Sequence, residues 1–175
     1  MTVQAAFTPE EWTKLVQAPL NVAMLITVAS PSLFGGMKEM FSAAKNLTDA
    51  AKQTAPNELM GAVFATFSSQ DAMKQAEPKY DTKDPYALRQ AILASIHGAV
   101  EVLDQKAAPE EAKAFKDWLY QFGVQQANAS KEGGFMGIGA VRVSEAEKTA
   151  LVELADALGI TPAVDPAPAA PADSA

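Results

Sequence analysis

Residues 20–29 offer water almost nothing. Leu20, Val22, Ala23, Met24, Leu25, Ile26, Val28 and Ala29 are apolar, and Asn21 and Thr27 are the two interruptions. A helix with no polar face has to be covered on every side. This stretch therefore predicts a central helix with the rest of the chain packed around it. The apolar run, residues 18–29, is twelve residues long and too short to cross a bilayer. Pro19 stands at its start, and a proline has no N–H to give the helical ladder. It predicts a break or kink near Ala18.

The remaining chain is punctuated by helix starts. Thr8-Pro9-Glu10-Glu11 combines an N-cap, a first-position proline and first-turn acids, and Trp12, Leu15 and Val16 follow at the spacing of a buried stripe. Met37, Met40, Phe41, Ala44 and Leu47 recur at helical spacing. Pro56-Asn57 opens a segment carrying Leu59, Met60, Val63, Phe64 and Phe67. Residues 68–83 are polar and contain Pro78, which predicts mostly loop with one short helix near Ala72. Asp84-Pro85 then starts a long helix to about Lys106, with Leu88, Ile92, Ile96, Ala99 and Leu103 inward. Pro109-Glu110-Glu111 starts another to about Ser130, carrying Ala112, Phe115, Leu119 and Phe122. Ser144 and Glu147 make the capping-box pattern before Leu151, Leu154, Ala155 and Leu158, and Gly159 with Pro162 stops that helix. No run alternates as a strand would, and Val141 with Val143 offers one short bridge at most. The expectation is an all-α bundle of six to seven helices in a single domain over residues 1–160. Residues 161–175, mostly Ala and Pro, bury too little to order themselves and predict a disordered tail.

Charge and composition narrow the function. Net charge is −7, and the arginines number two, Arg89 and Arg142. A phosphate-binding surface needs clustered Lys and Arg, so nucleic acid is disfavoured as a partner, and anionic membrane surfaces with it. There is no cysteine, which removes disulfides and thiolate chemistry together. The first residues lack a basic region followed by an apolar core, so a cytoplasmic protein is the default.

Two glycine corners stand out. In Gly133-Gly134-Phe135-Met136-Gly137-Ile138-Gly139-Ala140-Val141-Arg142, glycines alternate with large apolar side chains, as suits a loop folding back onto a core. Leu33-Phe34-Gly35-Gly36-Met37 is the shorter counterpart. The surroundings repeat as well: Pro9-Glu10-Glu11 and Pro109-Glu110-Glu111 open helices, with Ala29-Ser30 and Ala129-Ser130 at the same offset. A doubled unit of capped helix and glycine corner would account for this, and so would coincidence in good helix-start chemistry. Neither phosphate fingerprint fits the longer corner, because position 142 is Arg where a dinucleotide loop needs its last Gly, and Gly139-Ala140-Val141 replaces Gly-Lys-Ser/Thr. A nest of its backbone N–H groups beside Arg142 could hold an anion. If Phe34, Met37, Met40 and Phe41 meet Gly134, Phe135, Met136, Gly137 and Gly139, the corners form one adaptable Phe/Met patch. Such a patch suits a partner protein, an apolar small ligand or a second copy of the chain.

His97 is the single histidine, with Glu101 and Asp104 one and two turns on, so three metal-ligating types share one helical face. A dinuclear carboxylate site would want Glu-x-x-His on two helices, and neither copy exists. The acidic helical bundle resembles the TerB-like tellurite-resistance proteins, which carry acidic metal-binding clusters between helices. The comparable corners here, Ser30-Pro31-Ser32-Leu33-Phe34-Gly35-Gly36 and the glycine loop, are not acidic, so the resemblance implies architecture and no function. Two readings follow. One is a non-enzymatic binding or scaffold module working through the glycine corners, with no cofactor. The other is a small-molecule or metal-dependent enzyme, or a metal-stress protein, using His97, Glu101 and Asp104.

Overall fold

In a computed structural model of the chain, the described residues are 4–29, 49, 55–67, 74–82, 84–129 and 144–161. Among them the regular structure is all helical: α1 (Pro9–Ala29), α2 (Glu58–Thr66), α3 (Pro85–Lys106), α4 (Pro109–Ala129) and α5 (Glu145–Leu158), with a 3₁₀ turn at Gln4–Ala6. Residues 74–76 are also helical, just past the position where a short helix was expected. The expected helix through Met37 to Leu47, the corner at 133–143 and the tail from residue 162 lie outside the described residues.

The helix ends follow the punctuation. Thr8 Oγ1 accepts from the Glu11 N–H while Glu11 Oε2 accepts from the Thr8 N–H, a reciprocal box at the start of α1. Phe7 and Trp12 close over that box with ring centroids 5.9 Å apart, in the positions of a hydrophobic staple. Asn57 and Asp84 cap α2 and α3 by accepting from Met60 N–H and Ala87 N–H. Ser144 and Glu147 make the second box. At the other end of α5, Gly159 takes φ of +63°, and the Ile160 N–H reaches back to the Ala155 carbonyl at 3.1 Å. That left-handed residue closes a Schellman ending, and Ile160 packs onto the core beside it.

Pro19 departs from expectation, because α1 runs through it as one helix of 21 residues. The missing N–H leaves the Leu15 carbonyl without its usual donor, an interior cost of about 3 kcal/mol. The helix continues because its faces are claimed on both sides of the proline: Leu15, Val16, Ala18, Pro19, Val22, Ala23, Leu25 and Ile26 are all buried. Burying each large aliphatic side chain contributes roughly 1.5–3 kcal/mol, so the sum outweighs one lost bond. The expected apolar core helix at 20–29 is the second half of α1. Each of its residues is buried or half-buried, and α1 packs against all four other helices.

The others complete the core with the predicted faces: Ile92, Ile96, Ala99 and Leu103 from α3, Ala112, Phe115, Leu119 and Phe122 from α4, Leu154 and Leu158 from α5. Trp118 joins α2 to α4, lying 4.7 Å from the Phe64 ring and stacked on Phe122 at 5.4 Å. Where α4 meets α1 and α5, Gly123 is needed. A Cβ there would stand 2.6 Å from Leu154 Cδ2 and 3.2 Å from Val22 Cγ1.

Candidate functional site

Helix direction decides which chain ends meet. Lys106, in the last turn of α3, donates to Glu11 Oε2 in the first turn of α1 at 2.6 Å. Gly98 lies against Lys14, and Ser95 meets Asn21 through the Tyr80 hydroxyl. Residue numbers thus fall along α3 as they rise along α1, and the two helices are antiparallel. Two residues, Ala107 and Ala108, turn α3 into α4, which therefore starts near the beginning of α1. Further on, Gly123 touches Val22. Helices α1 and α4 run in the same direction, and each ends about 10 Å beyond that contact. Helix α5 returns, because Gly159, Ile160 and Thr161 border a cleft with Ala107, Pro109 and Ala112 at the start of α4. Ala29, Ala129, Pro85 and Glu145 consequently belong to one end of the bundle.

That end is where both glycine corners are attached. Phe34, Met37, Met40 and Phe41 follow Ala29, and Gly134, Phe135, Met136, Gly137, Gly139 and Arg142 follow Ala129. These predicted site residues lie outside the described residues. Two donors near this end are buried with no partner among the described residues: Arg89 Nη2 and Gln126 Nε2. Arg89 is otherwise held by Glu153, whose Oε2 accepts from its Nε at 2.7 Å.

The predicted metal face is elsewhere, on the outside of α3. His97 and Glu101 are 61% and 60% exposed, with Nδ1 and Oε1 3.6 Å apart. Asp104 instead accepts from Lys116 Nζ across the α3–α4 corner at 2.8 Å. Among the described residues, no three His, Asp or Glu side chains come close enough together to hold a metal ion.

A polar network between α1, α3 and residues 77–82 went unnoticed in the sequence. Asn21 is 1% exposed, and its Oδ1 accepts from the Tyr80 hydroxyl at 2.9 Å. Ser95 Oγ lies 3.0 Å from the same phenol oxygen and supplies its second hydrogen bond. Burial pushes the Tyr80 phenol above its usual range, and the Ser95 contact partly opposes this. The signal was present: a lone Asn inside an apolar run is a buried polar group in search of a partner.

The chain significantly matches no family model, no curated protein and no solved structure. No helix among the described residues is long and apolar enough to cross a membrane.

Proposed function

We propose that this chain is a non-enzymatic binding module whose working surface is the bundle end where α1 and α4 finish, and that it takes an apolar segment of a partner protein. The observation that carries the reading is the shared direction of α1 and α4. It starts both Phe/Met/Gly corners from the same end of the helical core, within a few residues of Ala29 and Ala129. Methionine and phenylalanine side chains at such a site adapt to varied apolar surfaces.

Phe135→Ala and Met37→Ala test the reading. On a binding surface, both variants keep parental stability and lose a partner that the parent captures from its native cells. A ring that belongs to the core instead costs about 3–5 kcal/mol on truncation. That fall, with partner capture kept in the folded fraction, would overturn the proposal.

A further inference from the structure

We infer a second site, independent of the glycine corners: a polar groove between α1 and α3 that takes a small organic carboxylate. Two clefts of about 280 and 400 Å³ adjoin there and share Gln17 and Ser95. The first is bordered by Lys14, Asn21 and Gly98, the second by Tyr80, Glu77 and Lys79. Three features make this a built site. Its floor is a buried amide, Asn21, held in one orientation by the Tyr80 hydroxyl. Its wall is open at Gly98, where an added Cβ would meet nothing nearer than the Lys14 side chain at 3.9 Å. The charge of its first cleft comes from Lys14, which lies across Gly98 and pairs with no carboxylate among the described residues. By contrast, Lys106, Lys113, Lys116 and Lys148 each hold one.

The ligand class follows from that lining. One ammonium beside the Gln17 amide matches a single carboxylate, which gains hydrogen bonds from both, while the Ser95 hydroxyl stays with the Tyr80 phenol. A doubly charged phosphate is less suited, because Lys14 is the one cation lining the first cleft and Lys79 in the second stands beside Glu77, which repels a second negative charge. The remainder of the ligand would run toward Tyr80, where hydroxyl and amide groups favour a polar molecule over a hydrocarbon. Lys14 is exposed, so affinity in the millimolar range and weakening by salt are expected.

Amide chemical shifts of the full chain, titrated with acetate, succinate and inorganic phosphate at constant ionic strength, test this. The expected result is saturable movement of the Gln17, Ser95 and Gly98 signals with the carboxylates and weaker movement with phosphate. Lys14→Gln should weaken carboxylate binding about fivefold, the scale of one exposed charge contact. Gly98→Leu, which fills the open wall, should abolish it with the other helical signals unmoved. Linear, unsaturated shifts, phosphate binding as tight as carboxylate, or an unchanged Kd in Lys14→Gln would each overturn the inference.

Discussion

Replacing Tyr80 by Phe removes one oxygen and isolates the amide beneath it. Asn21 Oδ1 loses its 2.9 Å donor in a side chain that is 1% exposed. Leaving such an acceptor unsatisfied costs about 1–3 kcal/mol. Ser95 is only half-buried and can turn its hydroxyl to solvent, so the loss falls mainly on Asn21. For a chain of this size, each kcal/mol is worth about 2–4 °C, which predicts a fall in Tm of roughly 2–12 °C. Asn21→Leu should be milder, because the phenol keeps Ser95 and the new side chain is apolar among apolar neighbours. The double variant should match Asn21→Leu alone, since removing both partners leaves nothing unsatisfied. Urea unfolding of the four proteins measures the coupling directly. Strictly additive losses, or a Tyr80→Phe variant as stable as the parent, would refute the argument that this hydrogen bond secures the buried amide.

Gly123→Ala and Gly98→Ala gain the same helix propensity, yet the first drives its Cβ into Leu154 and Val22 while the second meets only the Lys14 side chain at an ordinary contact distance of 3.9 Å. Overpacking should set them about 1–3 kcal/mol apart by thermal unfolding, with Gly123→Ala the less stable. Gly159→Ala should cost about 1–2 kcal/mol in denaturant, because its φ of +63° is strained for any residue with a Cβ. The Lys106 hydrogen bond, followed by that of the Thr8 backbone, holds the Glu11 carboxyl below its ordinary value of 4.5. Its stabilising contribution is therefore fully present above that value and fades as pH falls through the depressed folded pKa. The stability gap between parent and Glu11→Gln should narrow in acid over that window.

Local chemistry made most helix boundaries legible. Thr8, Asn57, Asp84 and Ser144 are caps whose side chains bond where their spacing said they would, and Gly159 ends α5 as a left-handed residue. The central helix was legible too, because an all-round apolar stretch has one physical solution. Pro19 misled, since propensity speaks of an isolated helix while burial on both sides of the proline decides the folded one. Asn21, Tyr80 and Ser95 are 59 and 15 residues apart along their hydrogen bonds, a distance no local pattern spans. Direction was equally hidden: that α1 and α4 finish together depends on the turn at Ala107 and Ala108 and on the Gly123–Val22 contact. His97 and Glu101 did share a helical face, but that face looks outward, and Asp104 is drawn to Lys116 on the next helix.

The most direct test of the working surface is site-specific photo-crosslinking in native cells. Benzoylphenylalanine would replace Phe34, Phe135 and, as a control near the start of α4, Lys113, whose side chain is 75% exposed. The account predicts adducts to the same partner protein from positions 34 and 135 and none from 113. Adducts absent from both glycine corners, or equally abundant at position 113, would contradict it.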